Sequence, residues 1–258
     1  MSEDIGPILK NWRYLPNDLN VRLIDGVDGK QKIQMRLDLG LLQMELDGRP
    51  DGLRPHKYDS YLSFFENKAR NFSKAQPSSK NFILSPFDCF KLQQEAIQFY
   101  HRYLALMKLG DYTRVARDTS RNLRAFDFVG RHAENEEIIW SFEQYRPYVI
   151  MMHTRSLAMQ SLDRGNLDEG LQLISQGILQ LEKFYDKYGD RIEGERFELT
   201  YLTQWADEIK EKKPIPEGER LRLELDRAIR AEEYERAASI RDRLKVLSQK
   251  GSKLDQTA

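Results

Sequence analysis

The sequence predicts a mainly helical protein with a small β element at its N-terminus, a block of antiparallel helical hairpins in the middle and a two-helix hairpin at its C-terminus. Three observations carry that expectation. Turn dipeptides crowd the first 55 residues, long stretches with helical apolar spacing follow Pro55, and from Glu219 to Lys250 there is neither glycine nor proline.

Four Asp-Gly pairs (Asp25-Gly26, Asp28-Gly29, Asp47-Gly48, Asp51-Gly52) mark turns, because both residue types tolerate positive φ. Between them Ile33, Met35, Leu37, Leu39 and Leu41 alternate with polar residues or glycine, placing five apolar side chains on one face of a strand. The phase then slips to Leu42, Met44 and Leu46, so a bulge or break is expected near Gly40. Residues 19–46 thus read as a small hairpin or meander. DGVDGK suggests a calcium loop, but an EF-hand beginning at Asp25 would carry Val27, Gly29 and Arg36 where ligands are needed. No metal is expected there.

Residues 56–72 are amphipathic, and residues 75–88 have the prolines and serines of a connector. Helices are expected near 87–109, 111–132, 134–163 and 166–188, with Pro147 kinking the third of these. In that third stretch Ile138, Phe142, Tyr145, Val149, Met152 and Met159 form a packing seam. Domains are accordingly expected at 1–74 (β element plus helix), 75–212 (helical block) and 219–250 (helical hairpin).

GDYTRVARD from Gly110, GNLDEGLQL from Gly165 and AEEYERAAS from Ala231 share a layout in which one helix ends and the next begins. With Ala231 set against the glycines, the third has an inserted acid before its bulky Tyr234. Paired antiparallel helices follow, and the central block resembles a tetratricopeptide-like array with overlong helices, its spacing of about 55 residues exceeding the usual 34. An ordinary helical bundle remains the alternative.

At the C-terminus, Leu221, Leu225, Ala228 and Ile229 line one helix face, and Tyr234, Ala237, Ile240, Leu244 and Leu247 line another. A turn is expected around Ala231-Glu232, with Ala237-Ala238 letting the two backbones approach closely. LELDRAIRAEEYERAASIRDRLKVL resembles the UVR motif of the UvrB and UvrC excision-repair proteins, which also occurs in Clp-type ATPases. Leu225, Ala228, Glu233, Tyr234, Glu235, Ala237, Ala238, Ile240, Arg241, Asp242, Leu244 and Leu247 carry the resemblance. It implies a partner-binding site formed by Leu225, Ala228, Tyr234, Ala237, Ala238, Ile240, Arg241, Asp242, Leu244 and Leu247. The partner it implies is another protein with such a hairpin, or a second copy of this chain. GLLQMELDGRPDG is similar to the N-terminal part of bacterial proteins with this motif, a similarity that brings no activity. So short a hairpin has few apolar side chains to offset its ordering entropy and is expected to need another surface, from the helical block or from a second chain.

Other chemistry is sparsely represented. Lys plus Arg and Asp plus Glu are both 41, so no net field draws the chain to nucleic acid or an anionic membrane. The single Cys89 excludes an internal disulfide, and no apolar run reaches the roughly 20 residues of a membrane helix. A cytoplasmic location is expected. Phosphate-loop and dinucleotide-loop patterns are absent, and His56, His101, His132 and His153 have no metal-ligand spacing. No catalytic residue, metal or cofactor is expected. Cys89 is expected to be a small buried side chain, and His153 a satisfied core or interface histidine.

One charged feature stands out. Arg114, Arg117, Arg121 and Arg124 recur on one helix face, where guanidinium forks could grip an acidic peptide or a nucleic-acid backbone. A solvated face, or one paired within the helix as Asp111 with Arg114 and Asp118 with Arg121, is the competing expectation. The functional expectation is a non-enzymatic adaptor or regulatory protein acting through its C-terminal hairpin. The alternative is a DNA-repair accessory factor that uses the arginine stripe while the hairpin docks on an excision-repair protein.

Overall fold

The computed structural model describes residues 4–75, 81–212 and 217–254. The middle of the expected 75–88 connector and the linker at Pro214 and Pro216 lie outside the described residues. The chain divides into two compact units, residues 1–208 and residues 209–258.

In the first unit a short helix α1 (Gly6–Lys10) precedes a three-stranded antiparallel meander of β1 (Asn20–Asp25), β2 (Gln31–Arg36) and β3 (Leu41–Glu45). Ile33 faces Met44 and Met35 faces Leu42 across the β2–β3 pair, and Ile33, Met35 and Met44 are buried. The expected single strand through Leu41 is instead two strands. The phase slip is a full reversal closed by a Leu37 N–H bond to the Gly40 carbonyl (2.8 Å), which leaves Leu37 and Leu39 in the exposed turn. Gly29, Gly48 and Gly52 adopt φ of 74°, 67° and 73°, the left-handed conformation that makes Asp-Gly a turn signal.

The next helix, α2 (Tyr61–Ala75), begins later than the amphipathic pattern suggests, because His56 and Lys57 take positive φ in a 3-10 turn. After it come α3 (Pro86–Leu109) and α4 (Tyr112–His132), then α5 (Glu136–Glu143), α6 (Arg146–Asp163), α7 (Leu167–Tyr188) and α8 (Phe197–Lys212). A Ser85–Asp88 capping box starts α3, and the side chains of Asp111, Asn135 and Asn166 cap α4, α5 and α7. The expected helix 134–163 is two helices. Pro147 lies in the first turn of α6, where its missing N–H costs nothing, so the chain restarts a helix there and does not kink one. Tyr145, expected in the packing seam, falls at that break and is exposed, while Phe142, Val149 and Met152 are buried.

Helices α3 and α4 form one antiparallel hairpin and α6 and α7 another, with α4 packed on α6. Gly170 and Gly177 set the closeness of the second hairpin. A Cβ at Gly177 would lie 2.2 Å from Thr154 Oγ1, and one at Gly170 would lie 2.8 Å from Leu162 Cδ2.

The second unit contains a hairpin of α9 (Glu217–Arg230) and α10 (Tyr234–Leu254). Its turn repeats those of the first unit. The N–H groups of Gly110, Gly165 and Glu232 bond to the carbonyl three residues back, and those of Asp111, Asn166 and Glu233 bond five residues back. Gly110, Gly165 and Glu232 all have left-handed φ (77°, 77° and 59°). Glu232, rather than Ala231, thus occupies the glycine position, and the apparent inserted acid disappears: Glu233-Tyr234 aligns with Asp111-Tyr112.

Candidate functional site

Within the hairpin, the residues expected to bind a partner separate into two faces. Leu221, Ala228, Ala237 and Ile240 are buried together, with Leu225 and Leu244 packed against them. These side chains hold α9 to α10. Tyr234, by contrast, is 69% exposed, and Ala238, Arg241 and Asp242 are exposed as well. The expectation that Tyr234 lines the inner seam and that Ala238 sits in a close backbone approach is therefore corrected: Ala237 alone of the alanine pair is buried. Ile229 likewise is 51% exposed instead of inward-facing. Leu247 lies on α10, and its side chain is outside the described residues.

Helical geometry explains the division. Ala237, Ile240 and Leu244 follow steps of three and four along one side of α10, whereas Tyr234, Ala238 and Arg241 follow steps of four and three along another. Arg241 donates to Asp242 Oδ1 from Nη2 at 3.3 Å, and Arg236 donates to Glu233 at 2.9 Å. Both pairs are exposed, so they contribute little to the hairpin's own stability. The outer face therefore displays a tyrosine, a small residue and an Arg-Asp pair that the hairpin core does not use.

Residues 219–250 match the family model UVR, the UvrB/uvrC motif. No curated protein and no solved structure matches the chain. The UVR motif is found in DNA-repair proteins and mediates protein interaction, and it is not a catalytic module. It coincides with α9 and α10, so the buried and exposed faces just described are the two faces of the UVR hairpin.

In the arginine stripe of α4 only Arg121 is buried; Arg114 is half-buried and Arg117 and Arg124 are exposed, and all four pair with carboxylates of the first unit. Arg114 bonds Asp47 (3.2 Å) and Asp111 (2.7 Å), while Arg117 bonds Asp47 (2.5 Å), Asp118 (2.9 Å) and the Leu46 carbonyl. Arg121 is buried on Glu95, and Arg124 pairs with Glu66 at 3.0 Å. The Asp111–Arg114 pair is the one expected from helical spacing. Asp118, however, is engaged in a forked pair with Arg102 (2.7 and 2.9 Å), both side chains fully buried, and Arg121 turns to Glu95 instead.

The network ties four elements together, α2, α3, α4 and β3. Arg102 also donates to the Glu45 carbonyl (3.0 Å) at the end of β3, and Glu95 accepts from the Tyr61 and Leu62 N–H groups (2.7 and 3.2 Å) at the start of α2. A carboxylate there satisfies open N–H groups of the helix and meets its positive end. Burial pushes the Arg121 guanidinium down to about 10, with Glu95 opposing that shift. Asp47 is held below the usual carboxylate range by its bonds from Arg114 and Arg117.

The remaining candidates are structural. Cys89 is buried, and burial together with the nearby Asp88 pushes its thiol up to about 11, the opposite of an activated nucleophile. His153 Nδ1 pairs with Thr119 Oγ1 at 2.9 Å, and its pKa is lowered by burial. Asp28, in the rejected calcium loop, accepts from Lys32 Nζ at 3.1 Å. Among the described residues no cluster of three potential metal ligands occurs, and none of the helices is long and apolar enough to cross a membrane.

Sequence reasoning missed Glu95, Arg102 and Asp118 as a network. A buried ion pair between residues 16 apart has no local signature, whereas the left-handed Glu232 was legible in the shared acid-Tyr step of the first and third turns.

Proposed function

We propose that the protein is a non-enzymatic adaptor or regulator whose UVR hairpin associates with another hairpin of the same kind, in a second copy or in a different cytoplasmic protein. One observation carries this reading. The UVR hairpin closes its own small core with one face of α10 and leaves Tyr234 and Ile229, both large and apolar, exposed with Ala238 and Arg241. Aromatic and arginine side chains are those that most often anchor protein interfaces. The two αα-hairpins of residues 86–188 support a tetratricopeptide-like scaffold role for the first unit.

The test compares the full chain with a variant lacking residues 214–258, by sedimentation and by recovery of UVR-containing proteins. Association should be present in the full chain and lost in the truncated one. Equal association by both would overturn the proposal. The pairing of Arg114, Arg117, Arg121 and Arg124 inside the chain weighs against the DNA-accessory reading. Steeply salt-dependent duplex binding by the full chain would restore it.

A further inference from the structure

A cleft of about 510 Å³ lies in the first unit between α3, α4, α5 and the start of α6, with Glu198 of α8 at its edge. Aromatic rings dominate its walls. Tyr100 and Tyr103 stand at 89° to one another with centroids 5.5 Å apart, and Tyr148 meets Tyr100 at 6.2 Å. Phe126 and Phe142 close the inner end edge to face, 5.8 Å apart. Tyrosine and phenylalanine rings thus line the cleft, and a ring face open to such a volume attracts a cation.

The charge of the lining points the same way. Among the described residues that form it there is no lysine or arginine, and Glu198 is its single carboxylate. Burial raises the Tyr148 phenol to about 12 and lowers the His101 pKa below the usual histidine value, so at neutral pH both are uncharged. Glu198 accepts from the Tyr185 hydroxyl through Oε2 at 2.8 Å, and a carboxylate has lone pairs for further donors. Gln93 and Gln144 add amide oxygens. A planar guanidinium uses both features, stacking on rings while its N–H groups reach a carboxylate and amides; a quaternary ammonium has no N–H to offer.

Beside the opening, Phe90, Ile97 and Tyr100 lie along one side of α3 and are 52%, 44% and 37% exposed, with Tyr145 (57%) at the opening itself. That apolar shelf suits residues flanking an inserted side chain. We propose that this cleft is a recognition site for an arginine side chain of a partner polypeptide, with the tyrosine cage holding the guanidinium and Glu198 compensating its charge. The site is built without the UVR hairpin, so it stands or falls separately from the association proposed above.

The experiment is calorimetric titration of the full chain with N-acetyl-L-argininamide, the neutral isostere N-acetyl-L-citrullinamide, tetramethylammonium and the peptide acetyl-Gly-Arg-Gly-amide. The two arginine probes should bind with Kd on the order of millimolar, as expected of small ligands. The peptide should bind at least as tightly as the amide, and the citrulline probe about tenfold or more weaker. Glu198→Gln, which keeps an acceptor for Tyr185, and Tyr100→Leu should each weaken the arginine probes by about tenfold with melting unchanged. No binding of either arginine probe, or equal binding of citrullinamide, would overturn the proposal. So would indifference to both substitutions. Tetramethylammonium binding as tightly would refute the guanidinium assignment, and exclusion of the peptide would refute a polypeptide ligand.

Discussion

Tyr234→Ala separates the two faces of the UVR hairpin most sharply. A tyrosine side chain carries about 200 Å² of surface, and with 69% of Tyr234 exposed, roughly 140 Å² remains for a partner to cover. At about 25 cal/mol per Å² that area is worth ~3.5 kcal/mol, a several-hundredfold change in Kd. The third already covered, about 60 Å², limits the cost to the hairpin itself to ~1.5 kcal/mol. Ile240→Ala is the control, since Ile240 is 5% exposed in the hairpin core and its truncation should cost about 2–5 kcal/mol. Self-association or association with a recovered UVR protein is measured by sedimentation, and hairpin stability by urea unfolding followed by circular dichroism. Tyr234→Ala should weaken association by up to about several hundredfold while the hairpin stays folded, and Ile240→Ala should damage both. Unchanged affinity in Tyr234→Ala would remove the outer face of α10 from the interface. Unfolding of residues 217–254 in that variant would show the division between faces to be mistaken.

Three other outcomes follow from named contacts. Asp118→Ala should destabilise the first unit by about 3–5 kcal/mol in chemical unfolding, because it strands the fully buried Arg102 guanidinium without its carboxylate; a loss below 1 kcal/mol would contradict the buried fork. Glu232→Gly should stabilise the UVR hairpin by about 0.5–1 kcal/mol, since it relieves the left-handed strain that Gly110 and Gly165 avoid in the equivalent turns; destabilisation in the same unfolding assay would argue against the shared turn. Asp47 is depressed in the folded state by Arg114 and Arg117, so its contribution is fully present above about pH 4 and is lost as pH falls through the folded value. Asp47→Asn should therefore flatten the stability profile below about pH 4, and an identical acid slope in both proteins would count against the pairing.

Much of the architecture was legible because it depends on short-range rules. Asp-Gly pairs demand turns, Gly110-Asp111 and Gly165-Asn166 end one helix and cap the next, and the apolar spacing of residues 221–244 defines a hairpin. The errors arose where a local pattern admits two geometries. Alternation through residues 33–41 suits either one long strand or a strand running into a turn, and Pro147 can kink a helix or start one. The inner or outer placement of Tyr234 was likewise undecided by spacing, because it opens α10 three residues before buried Ala237 and four before exposed Ala238, steps that fit either face.

By itself the sequence determined the helix ends at Gly110 and Gly165, the Asp-Gly turns and the UVR motif, all of which act over a few residues through φ preferences and side-chain periodicity. Tertiary structure alone decided what the charged and aromatic residues do. The arginines of α4 looked like a surface stripe, yet Arg117 and Arg121 find carboxylates at Asp47 and Glu95 because β3 and α3 are brought against that helix. Tyr100, Tyr148 and Glu198 are far apart in the chain and become one cleft only when α3, α6 and α8 assemble. Electrostatic and ring contacts depend on distance in space, and periodicity along a helix says which side a residue occupies without saying what that side meets.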